Sequence, residues 1–266
     1  MSSQLNGTAT KAIRDVKIEQ TTNLINRYDV DMLSYQEHGL EFSRSIALRG
    51  ATNPDGSPAV TIDAQQQGRV FLLEGGGTSP PGPPGLMVLE NLVITGGDGG
   101  IRIRGCRPII RNCIITQNES GIPPGGGVLA SNSGKGAPWN QTHPKFIDCV
   151  ISGNSARDNA GVYISDDGYG QGCQATLANC IVTENTPRLG DVGGVHNAGI
   201  GSVTLIDTIV CGNEGEQVFG AVELAGDARP RQLARRQGPD RHRRDRHPPP
   251  DARDSPAGRT ACGFGP

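Results

Sequence analysis

The sequence predicts an all-β fold: one chain wound into a single-stranded right-handed parallel β-helix, a solenoid with three short strands per coil, followed by a disordered C-terminal tail. Three observations carry this expectation. The heptapeptide NCIITQN at residues 112–118 returns as DCVISGN at 148, NCIVTEN at 179 and DTIVCGN at 207. A large apolar residue stands three places before the second position of each copy (Ile110, Phe146, Leu177, Leu205), and another stands two places after it (Ile115, Ile151, Val182, Val210). A segment opening on glycine and an apolar residue precedes each copy: GGIRI at 99, GGVLA at 126, AGVYI at 160 and GGVHN at 193. The aligned positions Cys113, Cys149, Cys180 and Thr208 are 36, 31 and 28 residues apart. A tight motif in a loose period places the insertions in loops.

Strand parity requires a bend inside each copy. Phe146 and Cys149 lie three apart, and side chains of a straight strand alternate with period two, so both can face inward only if the chain turns between them. The residue before each aligned position is Asn112, Asp148, Asn179 or Asp207. Asn and Asp are the non-glycine residues that best tolerate the left-handed conformation, so these four are the expected structural bend. The closing Asn118, Asn154, Asn185 and Asn213 mark the next corner, as an Asn ladder whose amides hydrogen-bond from coil to coil. Three strands per turn, stacked in parallel, make a solenoid in which each coil pairs with its neighbours.

Along the chain, residues 1–34 do not follow the pattern and are either a poorly fitting N-terminal segment or the cap that a solenoid needs to stop edge pairing. Residues 35–225 form the β-helix. SIALRG at 45, AVTIDA at 59, RVFLLEGG at 69 and LMVLENLVITGG at 86 are its earlier, weaker strands, and Glu90-Asn91-Leu92-Val93-Ile94 is an early copy of the bend. TSPPGPPG at 78 is a proline-rich loop, because proline cannot donate to a ladder. From residue 226 to 266 the chain holds ten arginines, no lysine and almost nothing apolar, so it cannot offset the entropy of folding. It is read as a solvated tail. An arginine-rich arm for phosphates or acidic glycans and a change of reading frame are the two alternatives.

Composition agrees with many short strands: 39 of 266 residues are glycine and only 4% are aromatic. The formal charge of −2 makes nucleic acid an unlikely partner except through the tail. No apolar run is long enough to span a bilayer, and MSSQLNGTATKAIRDVKIEQ shows no secretory apolar stretch. The cysteines lack the C-x-x-C spacing of a metal site, so no metal is expected. Cys113, Cys149 and Cys180 read as one inward column of small apolar filler, with a disulfide geometrically allowed at the coil spacing. Cys106 and Cys173 are a second pair or free.

The motifs Gly126-Gly127-Val128 and Gly193-Gly194-Val195, with Ile151-Ser152-Gly153-Asn154 and Val182-Thr183-Glu184-Asn185, resemble those of the right-handed parallel β-helix repeat proteins of bacterial surfaces. The resemblance runs from about residue 35 to 219. It implies the fold, and an extracellular or cell-surface location. It says little about activity, because related β-helices include lyases, hydrolases, esterases and adhesins. The enzyme patterns of such relatives (Asn-Thr-Asp, Asp-Asp, Gly-His-Gly, Arg-Ile-Lys) are absent apart from Asp166-Asp167. The sequence is therefore read as a non-enzymatic monomer that binds carbohydrate or neighbouring surface molecules through loops on one flank. The alternative is a polysaccharide lyase or glycoside hydrolase acting on an acidic polysaccharide, with calcium as cofactor only in the lyase case.

That flank is the corner after the first strand of each coil, where RGCRP, SNSGKGAPWNQTHP, SDDGYGQGC and NAGIGS follow one another. It gathers the ligand-binding candidates Trp139, Tyr169, His143, Arg102 and Arg107, and the weak catalytic candidates Asp166, Asp167 and Arg104. An aromatic face beside carboxylates and guanidinium groups suits a sugar chain. Each has a plainer role as well: Asp166 and Asp167 in a turn before Gly168, Trp139 as a cover for the coil edge, His143 as a loop histidine, and the arginines on a solvated strand.

Overall fold

A computed structural model describes residues 16–19, 40–42, 46–74, 87–121, 124–132, 141–166, 172–226 and 229–230. The chain winds through three parallel sheets in turn, and each sheet gains one strand per coil over seven coils of the described residues. In the fourth coil the first, second and third sheets receive Val128–Ser131, Lys145–Ile147 and Val150–Ser152. A small fourth sheet at the next corner joins Glu119–Ser120, Ser155–Ala156 and Thr186–Pro187. The fold is thus a parallel β-helix with three main strands per coil.

Register follows the repeat. Ile110, Phe146, Leu177 and Leu205 are successive partners in the second sheet, and Ile115, Ile151, Val182 and Val210 in the third. All eight are fully buried, so the core is a bundle of side-chain columns along the axis. At one end Val16–Glu19 pairs antiparallel with Ile46–Gly50, the only antiparallel strand pair among the described residues. At the other, the third sheet continues past residue 225 to Arg229–Pro230, which pairs with Ile209 and Val210. The coil therefore ends a few residues later than the composition change at 226 suggests. The rest of the arginine-rich tail lies outside the described residues.

Both corners carry left-handed backbone. Asn112, Asp148, Asn179 and Asp207 take φ of 45°, 54°, 52° and 46°, and Asn91 takes 58°. Each turns the chain outward for one residue and then back, so Phe146 and Cys149 are both buried although three apart. The second corner turns one residue before each ladder asparagine, at Gln117, Gly153, Glu184 and Gly212, with φ of 54°, 62°, 57° and 66°. This leaves the asparagine itself facing inward, fully or nearly fully buried.

Inside that corner the amides stack. Asn118 Nδ2 donates to Asn154 Oδ1 at 2.9 Å, Asn154 to Asn185 at 2.9 Å, and Asn185 to Asn213 at 2.8 Å. Each Oδ1 also accepts the backbone N–H of the preceding ladder residue, at 3.0–3.1 Å. The glycines that open each first strand make this stack possible. A Cβ on Gly161 would lie 2.4 Å from Gly194 O and 3.2 Å from Asn185 Nδ2, and one on Gly127 would lie 2.8 Å from Gly161 O and 3.0 Å from Asn154 Nδ2. The glycine and asparagine motifs are one device, since the missing Cβ leaves the space in which the amide sits.

Cys113, Cys149 and Cys180 are buried, free thiols in one inward column. Each Sγ donates to the carbonyl two residues back, at 3.2–3.3 Å, and Thr208 Oγ1 makes the equivalent bond to Ile206 O at 2.8 Å. Cys106 and Cys173 are buried and free as well. Burial pushes both up to about 12, so neither is a reactive thiolate.

Two substitutions test this account. Asn179→Val puts a β-branched residue at φ 52° and is expected to cost about 1–3 kcal/mol, whereas valine at an exposed strand position is nearly neutral; chemical denaturation measures both. Gly161→Ala is expected to cost roughly 1–3 kcal/mol by overpacking, and an unchanged melting temperature would separate the glycine column from the amide ladder.

Candidate functional site

Alternation on the first sheet turns every second residue outward. Register places Leu72, Arg102, Leu129, Tyr163, His196 and Phe219 in one outer column, coil after coil. A second outer column beside it holds Glu74, Arg104, Ser131 and Ser165. The inward partners Ile101, Val128, Val162 and Val195 are buried, so the backbone carrying these columns is rigid.

The first column changes character along the axis. Leu72 and Leu129 face outward by parity yet are only 5% and 4% exposed, and Arg102 between them is half-buried. From the fifth coil onward the column is aromatic. The Tyr163 and His196 rings meet edge to face at 5.3 Å between centroids, and His196 meets Phe219 the same way at 5.0 Å. Phe219 is 50% exposed.

His196 Nδ1 lies 2.6 Å from Oδ1 of the buried Asn159. An amide oxygen only accepts, so Nδ1 carries the proton and Nε2 is left as the acceptor. Burial holds His196 below its ordinary value, opposed by Glu216. Tyr163 is pushed up, by burial first and then by Asp158 and Asp166. At neutral pH this end of the column presents two neutral rings with one fixed acceptor and one hydroxyl donor.

The corner between the first and second sheets stacks as its loops require. His143 N–H donates to Cys106 O at 3.0 Å, and Gln174 N–H to Thr142 O at 3.0 Å. His143 Nε2 is buried with no hydrogen-bond partner, and burial and then Arg107 hold the ring below its ordinary value. Asp166 Oδ2 accepts the Ile200 N–H of the next coil at 2.9 Å, so this carboxylate ties two corner loops together. Arg104 pairs with Glu74 at 3.2 Å. Trp139, Asp167 and Tyr169 lie outside the described residues. Among the described residues no group of three His, Cys, Asp or Glu side chains could hold a metal ion, and no helix is long and apolar enough to cross a membrane.

Arg102, Arg104, Arg107, His143 and Asp166 therefore occupy one sheet and its adjoining corner. Tyr163, His196 and Phe219 are not among the site residues that the sequence suggests. The signal was present, because each follows the apolar residue that aligns with Ile101, but it is one residue per coil and emerges only in register. Asn159 and Arg69 carried no sequence signal.

A family model described as a right-handed β-helix region matches residues 59–219. No curated protein and no solved structure matches the chain.

The two histidines set a pH dependence. A group whose folded pKa lies below its unfolded one binds fewer protons when folded, so its stabilisation is complete above about pH 6.5 and is lost as the pH falls below it. The melting temperature is expected to drop between about pH 7 and pH 5. His196→Gln, which keeps a donor for Asn159, is expected to drop less; identical slopes would remove His196 from the titration.

Proposed function

The chain belongs to the right-handed β-helix family, and from that premise we propose that it is an extracellular or cell-surface protein that binds carbohydrate, without catalysis, along the outer face of its first sheet. The observation that carries this reading is the column of Tyr163, His196 and Phe219. Three rings in a line along the axis give an extended chain successive apolar surfaces, while Nε2 of His196 and the hydroxyl of Tyr163 meet its hydroxyl groups. The serines of the neighbouring column, Ser131 and Ser165, add short polar contacts. Two groups that could act as catalysts are engaged elsewhere: Asp166 holds a loop N–H and Arg104 holds Glu74.

A polysaccharide lyase or glycoside hydrolase is the second reading, and His196 favours it. Its Nδ1 proton is fixed on Asn159, which leaves Nε2 as the acceptor, the tautomer a general base requires.

Retention on a panel of immobilised neutral and uronic-acid polysaccharides separates the two. In the binding reading, Phe219→Ala and Tyr163→Ala each weaken retention by about 1–3 kcal/mol, roughly 5-fold to 150-fold, with the fold intact, and no unsaturated or reducing-end product appears. In the catalytic reading product does appear, and His196→Gln abolishes it while retention survives. Retention unchanged in both aromatic variants would remove the column from the ligand site.

A further inference from the structure

Near the opposite end of the same column stand two arginines, Arg102 in the column and Arg69 at the corner before the neighbouring strand, that enter no ion pair of the described residues. Arg69, just before the second coil's strand Phe71–Glu74, is only 5% exposed, and its Nη1 is buried with no hydrogen-bond partner. Its guanidinium lies on Gly99 of the next coil, where a Cβ would come within 2.5 Å of Nη1 and 2.7 Å of Nη2. Arg102 Nε is likewise buried without a partner.

Among the described residues, the carboxylates that face this pair are Asp98 and Glu74. Asp98 faces Arg69, but its Oδ1 accepts the Gly121 N–H at 3.0 Å. Glu74 faces Arg102 and is paired with Arg104 at 3.2 Å. Three guanidinium groups therefore meet two carboxylates, and the ion pairs of the described residues include neither Arg69 nor Arg102. Burial, and then Arg102, lower Arg69 to about 10, which still leaves it charged at neutral pH.

A buried, unpaired cation is strongly unfavourable unless something compensates it. Packing alone does not call for a charge at position 102, because its register neighbours Leu72 and Leu129 are buried leucines. We propose that Arg69 and Arg102 form a binding site for one oxyanionic group, a sulfate, phosphate or carboxylate, either free or carried on a larger ligand. The orphaned N–H groups of the two guanidiniums donate to its oxygens, and the half-buried Arg102 marks the side from which it enters. Gly99 supplies the space for the Arg69 fork. The site stands whether or not the aromatic end of the sheet binds carbohydrate.

The test is thermal unfolding of the full chain in millimolar sodium sulfate, phosphate or acetate, against chloride at equal ionic strength. At least one oxyanion is expected to raise the melting temperature saturably, by roughly 5–10 °C at a hundredfold excess over its Kd. Which of the three does so identifies the group. Arg69→Met and Arg102→Leu are each expected to abolish the shift while melting, without added oxyanion, no lower than the parent, because each removes an uncompensated charge. Arg69→Lys, which keeps the charge but loses the fork, is expected to keep only a weakened shift. The proposal is overturned if no oxyanion exceeds chloride, if the shift persists in Arg69→Met and Arg102→Leu, or if both variants melt well below the parent in the absence of oxyanion.

Discussion

One buried interaction organises the molecule: the side-chain amide of each ladder asparagine accepts from one coil and donates to the other. Buried polar groups are tolerated only when satisfied, so the ladder fixes the distance and register between coils more strictly than apolar contacts could. The consequences spread outward. The residue before each asparagine must take a left-handed turn so that the amide faces inward. The glycine column must give up its Cβ to make room. With register fixed at that corner, the outer positions of the first sheet fall into straight columns, and residues more than a hundred apart in sequence, such as Arg102 and Phe219, come to share one face.

The bends and core columns were legible because each is written four times, and the parity conflict between Phe146 and Cys149 has one geometric solution. The ladder was legible for the same reason. The role of the glycines was not: their recurrence was visible, but the clash that each missing Cβ avoids is with another coil. The outer column was harder still, since Arg102, Leu129, Tyr163, His196 and Phe219 share no chemistry and are related by register alone. Arg69 lies at a corner without repeats, and only its burial without a partner sets it apart. Loops rich in glycine and charge made Trp139 and Asp166 candidates, yet Asp166 ties one corner loop to the next.

The inward column at the first bend shows how loosely identity can be specified where function is simple. Cys113, Cys149, Cys180 and Thr208 differ in size and acidity, but each turns a weak or strong donor back on the carbonyl two residues earlier. What the position requires is a small side chain with one proton to give. The cysteines are satisfied elements of the core, and the neighbouring Cys113 sulfur, then burial, raise Cys149 far above an ordinary thiol.

The ladder also has two ends. It begins where the Gly97 N–H donates to Asn118 Oδ1. It closes at Gln217, whose Oε1 accepts both the N–H and Nδ2 of Asn213 and whose Nε2 turns back to Asn213 O and Gly215 O. One extra methylene lets glutamine accept from Asn213 and return its own donors to the carbonyls of Asn213 and Gly215, so no amide is left pointing onward. A repeating structure has no intrinsic reason to stop, and a column of asparagines would offer its last donor to any further coil. Substituting glutamine makes this ladder finite: it works as a terminator, so the length of the amide column is set by a letter in the sequence and not by the exhaustion of a favourable energy.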